Sequence, residues 1–269
     1  MDGSLFTASV SGQHQRAIVP HVGVTAAQWS PDGKRILFAK NASYCCPGPA
    51  QLAVVGANGT GLQTVAACAF CDLGVWAPDS RHVAYVESQD PAAEFVLTVR
   101  DVDGPAQREV ADVGSDRLDL SWSPTGRWIS YDGAGERGGR VLRVVRADGS
   151  RNHAVGALAQ TATPEAWSPN GQRLAFVGPH GLATVNVDGS HHRLLDRYRA
   201  LDYPCCGPAW SPDGRAIAYY HPTGRQCTCG HLALIAPSGG TRRTLTRSTS
   251  YIEEIFWARD GHRLYYAQP

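Results

Sequence analysis

The sequence predicts an all-β chain: a six-bladed β-propeller of four-stranded antiparallel blades, forming a single domain over residues 1–269. Three observations carry this expectation. A tryptophan-led hairpin phrase recurs six times. A second phrase, ending in a glycine turn, falls between successive copies. The two chain ends supply complementary halves of one blade. A repeat sustained along a whole chain is an architecture, and it takes precedence over any local motif.

The first phrase is clearest from Trp210 to Tyr219 (WSPDGRAIAY). A short run ends at the aromatic residue, Ser-Pro-Asp-Gly forms a tight turn, and an apolar run follows. Proline presets φ at the second turn position, and aspartate and glycine suit the positions after it. Related phrases begin at Trp29, Trp76, Trp122, Trp167 and Trp257, in steps of 47, 46, 45, 43 and 47 residues. The second phrase ends at Gly59, Gly104, Gly149, Gly189 and Gly239. Each unit therefore holds four strands: a ends at the tryptophan, b follows the Pro-Asp-Gly turn, and c and d flank the glycine turn. Leu5 to Gly12 reads as strand c and its turn, with no tryptophan phrase before it, while Trp257 to Gln268 reads as the last a–b hairpin. The N-terminal c and d strands are thus expected to complete the blade begun at the C-terminus. Four-stranded blades around a channel leave only short, protected sheet edges.

The W-S-P-D-G hairpin with its following I/L-A-F/Y run resembles the TolB-type (WD40-like) propeller repeat, over nearly the whole chain. That resemblance implies an often extracytoplasmic, protein-binding propeller. Fold by itself does not fix function.

Bulk composition excludes several classes. Twenty-five basic and 24 acidic side chains leave a net charge of +1, which gives no electrostatic footprint for nucleic acid. No apolar run reaches the length of a bilayer span, so membrane insertion is not expected. Met1 to Val10 lack the regions of a signal peptide. No G-x-S-x-G elbow or phosphate-loop lysine occurs. Gly133, Gly135 and Gly138 match a dinucleotide fingerprint by letters, but a strand follows them, so no helix N-terminus awaits a pyrophosphate. No cofactor and no catalytic group are expected.

In a four-stranded meander the a–b and c–d turns lie on one face and the b–c and d–a loops on the other. Counts from tryptophan to glycine turn, spanning the b–c loop, are 30, 28, 27, 22 and 29; those spanning the d–a loop run 17, 17, 18, 18, 21 and 18. Irregularity gathers on the b–c/d–a face, and loops on a rigid scaffold are where binding usually resides. The eight cysteines belong to that same face: Cys45, Cys46, Cys68 and Cys71 around blade 1, and Cys205, Cys206, Cys227 and Cys229 around blade 5. Each group fits two disulfides with three possible connectivities. That implies an oxidising compartment, periplasmic or secreted, with a signal peptide removed. The alternative is cysteine-ligated metal inside the cell: Cys68-x-x-Cys71 has zinc-like spacing, and His221 and His231 flank the second group.

The recurring tryptophans read as packing between blades, since buried aromatics hold repeated units together. Acids stand just before the inner strands: Asp72, Asp119, Glu165, Glu253 and Glu254. They could ring the channel mouth and attract a basic partner segment, or they are solvated strand ends. Tyr44, Asp202 and Tyr203, beside the vicinal cysteines, could join the same surface. The expected function is a monomeric, non-catalytic scaffold that binds a protein or peptide through its b–c/d–a face. The alternative is a propeller enzyme with a metal or small substrate at the channel mouth, or a cysteine-ligated metal module.

Overall fold

The computed structural model describes residues 3–9, 11, 15–20, 23–40, 50–68, 70–71, 74–88, 94–114, 119–135, 138–159, 165–198, 206–223, 230–246, 252 and 254–267. The chain falls into two compact units. One comprises Met1–Trp122 with Val145–Ser150, the other Ser123–Val144 with Arg151–Pro269.

All regular structure among the described residues is β-strand. A hairpin pairs Leu5–Thr7 with Arg16–Val19. The first four-stranded sheet runs Val24–Trp29, Arg35–Lys40, Ala50–Gly56 and Gln63–Cys68, each strand antiparallel to the next. In the second sheet the opening strand comes in two pieces, Phe70–Cys71 and Val75–Trp76, both paired with His82–Ser88; Phe95–Asp101 and Gln107–Gly114 follow. The third sheet holds Leu120–Trp122, Trp128–Ala134, Arg140–Arg146 and His153–Ala157. The fourth holds Ala166–Trp167, Arg173–Gly178, Gly181–Asn186 and Arg193–Arg197, and the fifth Ala209–Trp210, Ile217–Pro222, Gly230–Ile235 and Arg243–Thr244. A last hairpin pairs Glu254–Trp257 with Leu264–Ala267. Both terminal hairpins are two-stranded sheets.

The Ser-Pro-Asp-Gly turns close on themselves. At Trp210, Ser211 Oγ donates to Asp213 Oδ1 at 2.6 Å and accepts the Ala216 N–H at 2.9 Å, while Asp213 Oδ1 takes the Arg215 N–H at 3.0 Å. Gly214 sits at φ +70°, a left-handed conformation that glycine adopts without penalty. The second sheet has Ser80 there instead, at φ 58°. Its hydroxyl accepts the Asp32 N–H of the neighbouring turn at 3.0 Å, so a local cost accompanies a non-local bond.

The middle strands are buried on both faces. Ile217–Pro222 is buried at every position, so its two faces do not divide into polar and apolar. In the fourth sheet Leu174 and Phe176 pack with Leu142, Val155 and Trp167 on one side. Ala175, on the other face, lies in a cluster with Ile217, Tyr219 and Ile235 of the fifth sheet. The small residue of one strand leaves space that the next sheet's large residues fill. Burying a side chain such as Phe176 contributes about 2–3 kcal/mol.

Trp76, Trp122, Trp210 and Trp257 link successive sheets within each unit, whereas Trp29, expected to pack in the same way, is exposed. Trp76 Nε1 donates to the Gln28 carbonyl at 3.3 Å and Trp122 Nε1 to that of Val75 at 3.2 Å. Trp210 and Trp257 reach the Ala166 and Ala209 carbonyls at 3.0 and 3.1 Å. Guanidinium groups cover two of the rings: Arg35 lies over Trp76 and Arg173 over Trp210, adding a cation–π contact to the apolar burial.

Candidate functional site

Among the acids expected at the channel mouth, Asp119, Glu165 and Glu254 are described, and each stands where a sheet's first strand begins. Asp72, Asp202, Tyr203, Glu253 and Tyr44 lie outside the described residues. Glu165 has structural work at its position. Ser130 Oγ donates to its carboxylate and in turn accepts the Trp167 indole N–H at 2.9 Å. Trp167 therefore reaches a side chain where four other tryptophans reach a main-chain carbonyl. Asp119 and Glu254 are exposed.

Cys68 and Cys71 form a disulfide, with Cα atoms 5.8 Å apart. It joins the end of the first sheet's last strand to the start of the second sheet, and both residues are buried beside Trp76 and Tyr85. Cys206, expected in the second group of bridges, has a free thiol. It packs among Tyr220, Leu232 and Ile252, and burial pushes its pKa up to about 12, so it stays protonated and unreactive at neutral pH. Cys45, Cys46, Cys205, Cys227 and Cys229 lie outside the described residues.

Sequence reading missed one polar constellation among the described residues. It joins the fourth and fifth sheets at their b–c/d–a end. Asp196, on the last strand of the fourth sheet, accepts the Tyr219 hydroxyl at 2.5 Å and the His221 Nδ1–H at 2.8 Å, both on Oδ2. Arg242 Nη1 stands 3.3 Å from each of its oxygens. Tyr198 stacks on Tyr219, with ring centroids 6.4 Å apart, and meets the edge of His221 at 5.2 Å. His231 is the partner of His221 across the antiparallel pair.

Burial and the Asp196 carboxylate together push the Tyr219 pKa upward, so the phenol stays protonated. Burial lowers the His221 pKa, and Arg242 adds to that while Asp196 opposes it, so the imidazole is held neutral. Backbone shape makes the approach possible. Gly181 has φ +120°, and a Cβ there would meet the Asp196 carbonyl at 2.3 Å. The only sequence signals were the isolated His221 and His231; Asp196 and Arg242 come from other segments, and no local pattern connects them.

Among the described residues, no three His, Cys, Asp or Glu side chains converge as a ready-made metal cage. None of the described residues forms a helix long and apolar enough to cross a membrane.

No family model and no curated protein matches the sequence. Solved structures do match the fold. TolB from Acinetobacter baumannii is 12% identical with a TM-score of 0.55, covering 92% of this chain and 61% of its own length, so this chain spans about three-fifths of that protein. A putative TolB from Agrobacterium tumefaciens is 17% identical, TM-score 0.54, with 97% of each chain covered. An oligogalacturonate lyase in complex with manganese is 17% identical, TM-score 0.65, covering 96% of this chain and 76% of its own. The four-stranded antiparallel sheets and these neighbours make the fold an all-β propeller of the TolB type.

Proposed function

We propose that this propeller is a non-catalytic scaffold that binds a protein or peptide segment through its b–c/d–a face. The observation that carries the reading is the common position of Asp119, Glu165 and Glu254 at the start of a sheet's first strand. Carboxylates so placed favour a basic segment of the partner. On the opposite face the turns satisfy their own polar groups, as at Ser211 and Asp213, and leave little for a ligand to take.

The same proposal includes a single-domain monomer whose N-terminal hairpin and C-terminal hairpin together complete a sixth blade, with no cofactor. It also places the protein outside the cytoplasm, periplasmic or secreted. The Cys68–Cys71 disulfide supports that placement, because such bonds persist in oxidising compartments. A second reading, a propeller enzyme with a metal or small substrate, draws its support from the Asp196, Tyr219 and His221 constellation.

The test replaces three acids at once, as Asp119→Asn, Glu165→Gln and Glu254→Gln, in protein whose circular dichroism matches wild type. Proteins retained by wild-type bait from an extract of the native organism should be depleted at least several-fold on the triple variant. Undiminished retention refutes the acidic mouth as the binding determinant.

A further inference from the structure

We propose that His221 and His231 form a two-imidazole site for a borderline divalent cation of the Zn2+, Ni2+ or Cu2+ class, with Asp196 as the carboxylate that orients His221. This goes beyond the scaffold reading and does not depend on the cysteines.

Position comes first. Ile217–Pro222 and Gly230–Ile235 are antiparallel, and His221 faces His231 directly across the pair. Directly opposed residues share one face of the sheet, with Cβ atoms about 4.5–5.5 Å apart. Two imidazoles so placed can reach one ion at the usual metal–nitrogen distance of about 2.0–2.1 Å.

Chemistry comes second. His221 Nδ1–H donates to Asp196 Oδ2 at 2.8 Å. In the neutral ring this leaves the Nε2 lone pair for a ligand, and a carboxylate behind a histidine is the usual support of a metal-bound imidazole. The edge-on ring of Tyr198, with centroids 5.2 Å apart and planes at 80°, holds the same imidazole in orientation. His231 supplies an independent sign: its Nδ1 is buried and finds no hydrogen-bond partner among the described residues. A buried polar atom left without a partner calls for an explanation, a bound ion among them. A cation between His221 Nε2 and His231 Nδ1 satisfies both lone pairs.

Charge decides which cation. Arg242, 3.3 Å from both Asp196 oxygens and 3.4 Å from His221 Nδ1, offsets the carboxylate's charge. Attraction by net negative charge is therefore weak, and the nitrogen donors must carry the affinity. Imidazole donors suit Zn2+, Ni2+ and Cu2+, whereas Mg2+, Ca2+ and Mn2+ prefer oxygen. Water completes the coordination.

Calorimetric titration of the full, chelator-treated chain with ZnCl2 and NiCl2 at pH 7.5 tests the site, with MgCl2 and MnCl2 as controls. Wild type should bind one Zn2+ or Ni2+ per chain and bind the controls far more weakly. His221→Ala and His231→Ala should each abolish that event, and Asp196→Asn should weaken it about 10–100-fold. A variant with Cys205, Cys206, Cys227 and Cys229 all changed to Ser should bind as wild type does. Histidine 15N spectra of the wild-type chain keep the test independent of variant folding, because Zn2+ should shift His221 Nε2 and His231 Nδ1. Absence of binding, unchanged histidine signals, undiminished binding after either His→Ala change, or loss on the Cys→Ser changes overturns the proposal.

Discussion

The two ends of the strand Ile217–Pro222 are built from different kinds of interaction. At its start, the turn from Ser211 to Gly214 is held by bonds between residues two to five apart in sequence. At its far end, Tyr219 and His221 meet Asp196 across 23 and 25 residues, and Arg242 reaches the same carboxylate from 46 residues away. The first end is exposed and closes on itself. The second is largely buried, and each group there depends on partners that only the packed sheets bring near. Local bonds make a hairpin that can be repeated along the chain; non-local ones make a feature that belongs to one place.

The largest break in this contrast should come from Asp196→Ala. It strips the buried Tyr219 hydroxyl and His221 of their acceptor, and unpaired buried polar groups cost about 2–4 kcal/mol here. Urea denaturation should show that loss as a lower midpoint with an unchanged slope. A change below a few tenths of a kcal/mol would make the cluster as dispensable as a surface pair.

Gly214→Ala probes the opposite end. Space there is open, the closest contact being Pro169 at 3.7 Å, and only the φ of +70° opposes a side chain. The expected cost is about 1 kcal/mol, with the polar cluster untouched. Tyrosine and histidine chemical shifts near Asp196 should stay in place; their movement would couple the two ends.

The smallest effect is a slope with pH. The His221 pKa is lowered from 6.5, first by burial and further by Arg242, with Asp196 pulling the other way. The unfolded chain therefore takes up this proton first, and stability should fall as pH drops below about 6.5. His231, Tyr198, Tyr219, Asp196 and Arg242 surround the same ring. His221→Gln should flatten the slope between pH 7.5 and 5.5, measured in the presence of chelator. An unchanged slope assigns it to another group.

Much of this architecture was legible in the order of residues. The tryptophan phrases mark the a–b hairpins at Trp29, Trp76, Trp122, Trp167, Trp210 and Trp257, and the sheets follow them. The indole bonds to the preceding sheet then account for Trp76, Trp122, Trp167, Trp210 and Trp257 as packing, while Trp29 is exposed. The candidate site was less legible. Asp119, Glu165 and Glu254 stand at strand starts, as their place in the sequence suggested, but the tie from Glu165 through Ser130 to Trp167 had no signal there. Cys68 and Cys71 pair as their spacing allowed, whereas Cys206 is free in an apolar cluster. Proximity in sequence says nothing about which buried surface a thiol enters.

What the sequence determined alone is the repeat, because turn chemistry and strand formation act over a few residues and leave a signature in each copy. What only the tertiary structure decided is the meeting of Asp196, Tyr219, His221, His231 and Arg242. Their contact depends on how one sheet's last strand packs against the face of the next, and that packing is set by the volume of buried side chains such as Ala175, Ile217 and Tyr219. No short stretch of sequence records it.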